Sequence, residues 1–278
     1  MSGSQPIGEV WRRASQRGDR LDARLLLEHV CGCTHVDLIA HPEREMTLEQ
    51  HARFESLLLR REAGEPLAYL VGSAFFHGLE FKVSSAVLIP RPDTEVLVDL
   101  AKKRAEQIIS PRIVDLGTGS GVVAILLARL CPAALVTAVD VSAAALEVAR
   151  GNAARHDAPV RFLEGDWFAP LGDERFDLIV SNPPYVAGDD AHLHQNGLPF
   201  EPQLALTDGV VGGDGLTCIQ AIIDGAQTHL LPNGAVLIEH GYNQAVKVRE
   251  LLNAAGFSGV VSWPDGADIE RVSGGYLP

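Results

Sequence analysis

The sequence predicts an α/β fold: a doubly wound, mostly parallel sheet, preceded by a small all-α domain and a β-hairpin linker. Three observations predict it. From Ile113 onward, short apolar runs alternate with helical stripes, the pattern of parallel strands joined by crossover helices. Ile113-Val-Asp-Leu-Gly117-Thr118-Gly119-Ser120-Gly121-Val-Val-Ala-Ile125 passes from strand through a glycine turn directly into a helix. Gly117, Asp140, Asp166 and Asn182 then fall at the carboxyl ends of successive strands, the edge where open α/β sheets bind ligands.

The elements follow in order. Residues 1–72 read as a helical bundle. Asp19 can cap a stripe of Leu21, Leu25, Leu26 and Val30, and Thr47 with Gln50 makes a capping box before Leu48, Phe54, Leu57 and Leu58. Gly64-Glu-Pro66 closes that second helix. The charged residues Arg12, Arg13, Arg60, Arg61 and Glu62 read either as a solvated face or as a docking surface for a protein partner. Residues 73–89 form two short apolar runs about a glycine, a hairpin linker. Residues 90–278 form the larger domain. It opens on Ile89-Pro-Arg91-Pro92-Asp93-Thr94-Glu95, a helix start in which Asp93 and Glu95 suit the positive end of the helix dipole and Arg91 can anchor a later site. Strands are expected at 135–139, 160–163, 178–180 and 234–239, helices at 216–231 and 244–255, and a closing strand pair at 260–263 and 270–276.

The chemistry gathers on Phe176-Asp-Leu-Ile-Val-Ser-Asn182-Pro183-Pro184-Tyr185. The prolines stop the strand and stiffen the chain as it leaves the sheet. The Asn182 side-chain carbonyl and the Pro183 backbone carbonyl can then accept both hydrogens of a planar NH2 group, with the flat face of Tyr185 beside it. Gripping both N–H bonds localises the nitrogen lone pair and aims it at an electrophile. Such a nucleophile needs a very good electrophile, and a methylsulfonium is one.

The glycine loop is GxGxG rather than the GxGxxG of dinucleotide folds, and no GxxxxGK[ST] phosphate loop occurs. A nucleoside without pyrophosphate fits better. Asp140 lies about 20 residues beyond the loop, where a carboxylate takes ribose hydroxyls. Asp166 and Trp167 can bind the exocyclic amine of adenine and stack on its ring. Asp115 reads equally as a ligand or as a turn-stabilising acid. His192 and His194 lie in a polar loop over 186–199 that reads as a surface loop or substrate lid.

At 278 residues, with 46% hydrophobic and 21% charged residues, the chain is an ordinary globular protein. Its formal net charge of −13 and lack of a long Lys/Arg run speak against extended nucleic-acid binding. Cys31, Cys33, Cys131 and Cys218 lack paired zinc spacing, so reduced thiols and no metal are expected. No charged-then-apolar leader and no apolar run of roughly 18 residues is visible, which points to the cytoplasm. A monomer is expected.

These motifs together resemble the release factor glutamine N5-methyltransferase family, also called PrmC or HemK. The likeness runs through the helical first domain, Ile89–Glu95, Asp115–Gly121, Ser181–Tyr185, Glu201-Pro202, and Glu239 before Gly241. His240 departs from it, standing where isoleucine is more usual, and the stretch 271–276 is somewhat altered. The resemblance implies a Rossmann-like class I S-adenosylmethionine-dependent methyltransferase domain. It implies methyl transfer to the glutamine amide of a release factor's Gly-Gly-Gln motif, with S-adenosylhomocysteine as product. By it, Gly117, Thr118, Gly119, Ser120, Gly121, Asp140, Val141, Asp166, Trp167 and Asn182 hold the cofactor. Asn182, Pro183, Pro184, Tyr185, Arg91 and Glu201 are the substrate side, with Asn182, Pro183 and Tyr185 catalytic. The helical domain and hairpin would help receive the release factor. Two other readings remain: an amino-methyltransferase acting on adenine or guanine in DNA or RNA, which needs base flipping and a basic groove, and a protein-binding module that keeps the cofactor site without catalysis.

Overall fold

The computed structural model describes residues 5–278, and the chain divides into two units, Met1–Ser73 and Ala74–Pro278. The first four residues, on which the reading of the chain's opening partly falls, lie outside the described residues.

In the first unit, β1 (Gln5–Pro6) leads into α1 (Ile7–Ala14), α2 (Arg20–Cys31), α3 (His35–Ala40), β2 (Glu45–Met46), α4 (Leu48–Glu62) and α5 (Leu67–Val71). The start signals are literal. Asp19 accepts the Leu21 and Asp22 N–H groups. Thr47 and Gln50 satisfy each other's backbone N–H in a full capping box, and Thr34 with Asp37 does the same for α3. α2 ends on Gly32 in the left-handed conformation, where a Cβ is disfavoured. Leu26, Leu27, Phe54 and Leu58 pack with Ile7, Met46 and Leu70 into this unit's core. Leu21 and Leu48, expected on the buried stripes, are exposed because each lies in the first turn of its helix, outside the packed face. The charged residues pair locally: Arg17 with Glu55 and Glu62, Arg60 with Glu65, and Arg61 with Asp22.

The division falls inside β3 (Ser73–Phe76), which with β4 (Leu79–Lys82) makes the hairpin; His77 and Gly78 between them both have positive φ, as a tight hairpin turn requires. Next come α6 (Thr94–Ala105), β5 (Arg112–Leu116), α7 (Val122–Leu130), β6 (Leu135–Asp140), α8 (Ala143–Arg155), β7 (Val160–Glu164) and β8 (Phe176–Ser181). α9 (Thr217–His229), β9 (Leu230–Glu239), α10 (Ala245–Ala254), β10 (Ser258–Pro264) and β11 (Glu270–Tyr276) complete the unit. The seven strands lie in the order β10-β11-β9-β8-β5-β6-β7. β8, β5, β6 and β7 run parallel and β9 joins them, while β11 pairs antiparallel with β9 and with β10. Chain order therefore reverses beside β5, the switch point where such sheets open a crevice.

Strand residues alternate between the faces. Ile113, Leu178, Val180 and Leu237 pack with α6 and α7. Val114, Leu116, Ile179 and Ile238 pack with α9 and α10. Both faces are covered, which is why these strands read as continuous apolar runs. At the carboxyl edge one polar side chain ties the layers together. Asn152, fully buried on α8, accepts the Lys82 N–H at 2.7 Å and donates to the carbonyls of Lys82 at 3.0 Å and Ser120 at 2.9 Å.

Near the last strands His240 is fully buried, and its Nδ1 must donate to the Gly241 carbonyl at 3.0 Å while Nε2 lies 2.7 Å from the Ser273 hydroxyl. Burial lowers its basicity and holds it neutral. The departure at 240 is thus accommodated by a polar pair inside the sheet.

Asn152→Ala should cost about 2–4 kcal/mol, since three backbone groups lose their partner without access to water. Urea unfolding at pH 7 measures it. A loss under about 1 kcal/mol would mean that water or a neighbour replaces the amide.

Candidate active site

The glycine loop follows β5 with Gly117, Gly119 and Gly121 all at positive φ (72°, 55° and 84°). Its course is fixed from the sheet outward. The Gly117 and Thr118 N–H groups both donate to the Val139 carbonyl, at 2.9 and 3.0 Å. The Thr118 hydroxyl donates to Asp115 at 2.6 Å. Asp140, at the end of β6, accepts the Gly119 N–H at 2.8 Å on one oxygen and the Ser142 N–H at 2.9 Å on the other. Each of its oxygens keeps a lone pair for a further donor.

A cavity of about 480 Å³ opens over this edge, within the range of small-molecule sites. Gly117, Thr118, Gly119 and Ser120 form its floor; Asp140 and Val141 line one side, and Asp166 with Trp167 another. Trp167 has φ 42°, unusual for a bulky residue, and a Cβ built on Gly117 would meet its ring at 3.4 Å. Asn182, Pro184 and Arg91 complete the expected residues on the wall. The structure therefore brings eleven of the predicted positions around one space.

Four predicted residues, Gly121, Pro183, Tyr185 and Glu201, do not themselves line this cavity. Gly121 faces the protein interior, where a Cβ would meet Ile125 at 2.9 Å and Ala149 at 3.1 Å, so it allows α7 and α8 to approach. Pro183 is buried beneath Asn182 and Pro184 in the chain. Tyr185 is largely buried, its hydroxyl 3.5 Å from Glu239, and burial pushes its ionisation far above the usual range. Glu201 is buried as the partner of Arg91, and also accepts the Ile89 N–H at 3.0 Å. It holds the Pro90-Arg91-Pro92 turn. Asp93, expected to assist the helix start, makes no side-chain cap and pairs with Arg271 at 3.2 Å.

Asp115, which the sequence leaves open between a ligand and a turn-stabilising acid, is on the wall, and several residues beside it had no role assigned in the sequence. Asp115 is fully buried, accepts the Thr118 hydroxyl, and lines the cavity. Thr94, the first residue of α6, lines it too and accepts a hydrogen bond from Asn182 Nδ2 at 3.0 Å. Thr207 and Asp208 come from the segment after Tyr185, and Cys218 from the first turn of α9. That segment leaves and rejoins the sheet through one amide: Gln244 Nε2 donates to the carbonyls of Tyr185 at 2.9 Å and Asp214 at 2.8 Å. Gly215 must be glycine there, since a Cβ would lie 2.1 Å from the Tyr185 carbonyl oxygen. Val186 pairs with Thr207 across the neck of the loop. His192 and His194 lie in a short turn of this loop, and His192 is held by Asp190 at 2.7 Å.

The cavity chemistry matches a nucleoside carrying a cation: positive-φ glycines allow backbone approach, an indole flanks the loop, and the carboxyls of buried Asp115 and half-buried Asp140 have no ion pair among the described residues.

Known proteins resemble this chain in sequence and in fold. Residues 12–72 match the PrmC N-terminal domain and residues 92–196 the Methyltransferase small domain. The chain resembles a Thermus thermophilus 16S rRNA N2 G1207 methyltransferase solved with AdoMet and guanosine, TM-score 0.55 and 23% identity, over 74% of this chain and 50% of that one. It also resembles a Pyrococcus furiosus methyltransferase, TM-score 0.53 and 18% identity, over 83% and 98%. The fold is that of a class I S-adenosylmethionine-dependent methyltransferase. Sequence relatives narrow this. The release factor glutamine methyltransferase of Bordetella pertussis is 51% identical over 93% of this chain and 95% of its own, and that of Burkholderia pseudomallei 49% identical over 94% and 93%. The chain belongs to the release factor glutamine methyltransferase family.

Burial raises the Asp115 carboxyl to about 7. A raised folded-state value means that the fold prefers the protonated acid. The penalty is absent below the unfolded value near 4, grows as pH rises, and is complete above about 7. Asp115→Asn should therefore match the wild type near pH 4 and become more stable than it at pH 8, by up to about 4 kcal/mol. Chemical unfolding of both proteins across this range checks it; an unchanged slope would place the acid's penalty elsewhere.

Proposed function

We propose that this protein transfers a methyl group from S-adenosylmethionine to the side-chain amide nitrogen of the glutamine in the Gly-Gly-Gln motif of peptide chain release factors. The observation that carries the reading is Asn182: it stands on the cavity wall at the end of a parallel strand, with its Nδ2 engaged by Thr94 and its Oδ1 left to accept. The names of the relatives supply the acceptor.

The residues fit the cofactor, whose sulfonium supplies a strongly electrophilic methyl. Asp140 takes the ribose hydroxyls with the lone pairs left over from Gly119 and Ser142. Asp115 and the glycine loop receive the cationic amino-acid end, and Trp167 with Asp166 receives the adenine. Asn182 Oδ1 and the Pro183 carbonyl accept the two N–H bonds of the glutamine amide, which leaves its lone pair directed at the methyl carbon. The amide nitrogen would take the methyl and a positive charge, the sulfur would leave as a neutral thioether, and the nitrogen would then give up one of its own N–H protons to water. Holding both partners in line is worth effective molarities of roughly 10⁵ to 10⁸ M, so no strong base is required. Tyr185, anchored towards Glu239, stiffens the turn that presents these acceptors.

The helical first unit, with its own core and its match to the PrmC N-terminal domain, would receive the body of the release factor. The excess of acidic residues disfavours a nucleic-acid acceptor, because phosphates would be repelled. Among the described residues no helix is long and apolar enough to cross a membrane. We infer a cytoplasmic monomer that acts on release factors.

Labelled methyl transfer to a purified release factor, beside a Gln→Ala variant of its Gly-Gly-Gln loop, with DNA and RNA as competitors, tests the assignment. Label on the wild-type factor alone is expected; label on nucleic acid and none on the factor would overturn the acceptor. Asn182→Ala should abolish transfer with cofactor affinity nearly intact, whereas Asp140→Ala should weaken cofactor binding first. Equal loss of both properties in either variant would sink the division of roles.

A further inference from the structure

The turn that brings Arg91 and Thr94 to the cavity wall has few backbone bonds to hold it. Pro90 and Pro92 have no N–H to donate, and the Thr94 N–H is spent within the turn, on the Arg91 carbonyl at 3.1 Å. Two side-chain ion pairs hold it instead. Arg91 pairs with Glu201, in the segment after the Asn-Pro-Pro-Tyr turn. Asp93 pairs with Arg271 at 3.2 Å, and Arg271 belongs to β11, the antiparallel strand next to β9. Thr94, beside Asp93, is 3% exposed and accepts the Asn182 Nδ2 hydrogen bond at 3.0 Å.

Arg271 is itself fixed on every side. Because β11 runs antiparallel to β9 with Val272 opposite Glu239, the start of β11 lies at the carboxyl edge of the sheet, where β9 also sets Ile238 beside Ser181, the residue before Asn182. The His240 N–H donates to the Arg271 carbonyl at 2.8 Å. From behind, Arg271 Nε donates to Asp265 Oδ2 at 2.9 Å, and the other Asp265 oxygen accepts the Ala267 and Ile269 N–H groups at 2.8 and 3.1 Å. The Asp265 side chain is 6% exposed and that of Arg271 19%. A guanidinium is planar with its donors in a rigid fork, so an acid on Nε sets the direction of Nη2. Nη2 thus reaches Asp93 from a fixed point on the sheet edge.

We propose that Arg271 is a positioning residue for the acceptor side: by holding Asp93 it sets the start of α6, and so the place where Thr94 meets Asn182. This rests on the proposed function, because Asn182 must be held in place only if it grips the acceptor amide. The arrangement gives Asp93 a use, since its carboxylate makes no cap on α6. It also separates the two halves of the site. No residue of β10 or β11 lies on the cavity wall, and the glycine loop and Asp140 are bonded to each other and to β6. Opening the Arg271 clasp therefore disturbs the acceptor and leaves the cofactor side alone. Misplacing a reacting group by about 1 Å can cost roughly 10²-fold in rate, and with the Arg91–Glu201 pair still closed a smaller loss follows.

The test is a set of variants assayed with a purified release factor, each also measured for S-adenosylmethionine affinity by calorimetry. Asp93→Asn removes one charge and leaves the Arg271–Asp265 pair closed; its kcat should fall about threefold or more, the scale of a half-exposed ion pair. Arg271→Met keeps the apolar stem and should lower kcat about tenfold or more. In both, KM for the release factor and cofactor affinity should stay within about twofold, a split that general loosening of the fold does not give. The double variant Asp93→Asn/Arg271→Met should be no slower than Arg271→Met alone, because both changes open one clasp. Wild-type kcat in either single variant, cofactor affinity falling in step with kcat, or losses that multiply in the double variant would each overturn the proposal. Should Arg271→Met fail to fold, Asp93→Asn decides by the same criteria. A wild-type enzyme that transfers no methyl group to the release factor would instead overturn the proposed function, a separate outcome read in the same assay.

Discussion

The carboxyl edge of this sheet is built around acids withheld from water. Asp115, Asp140 and Glu239 stand at or beside the ends of three of its strands, and burial raises the pKa of all of them, disfavouring the ionised form. Desolvating a carboxylate is costly, so each must be tied to donors or kept for an incoming cation. Asp140 is tied to the backbone of the glycine loop, Asp115 to the Thr118 hydroxyl, and Glu239 lies 3.5 Å from the Tyr185 hydroxyl. The loop and the Asn-Pro-Pro-Tyr turn are thus each held to the sheet by an acid that would otherwise be a liability.

The scaffold beneath is arranged so that these fastenings need little else. Both faces of the sheet are sealed by helices, and the reversal of strand order beside β5 opens the crevice. Arg91 and Glu201 close it from a distance in sequence, joining the proline-rich turn to the segment after the motif. Local rigidity is supplied by prolines, and close approach by glycine: Gly215 against the Tyr185 carbonyl leaves no room for a Cβ.

Much of this was legible in the chain. Strand–turn–helix signals are local, so the glycine loop, the capping box at Thr47 and the strand ending at Asn182 could be read from a few neighbouring residues. Asp140 was legible from its distance past the glycine loop, and Trp167 from its place behind an acid after the next strand. Other parts were hidden for physical reasons. Glu201, Thr94 and Glu239 act through partners far away in sequence, and nothing in their neighbours says which side chain they meet. Gly121 looked like its two companions in the loop, but its missing Cβ serves helix packing. Helix α1 has a proline before it and no side-chain cap, so it announces itself only weakly. His240 looked like a fault in the motif; its hydroxyl partner on the neighbouring strand makes it compatible with the core.

The double use of Gln244 bears on how this architecture can change. One amide holds the carbonyls at both ends of the segment after Tyr185, and the Val186–Thr207 bridge closes its neck again. Residues 187–200 beyond that neck contribute nothing to the cavity wall. For a flexible loop whose ends are already pinned, doubling the length costs only about 0.6 kcal/mol. Lengthening 187–200 therefore leaves the cavity wall and Asn182 where they are, and makes that stretch the place where the surface beside the cavity can be altered without rebuilding the cavity itself.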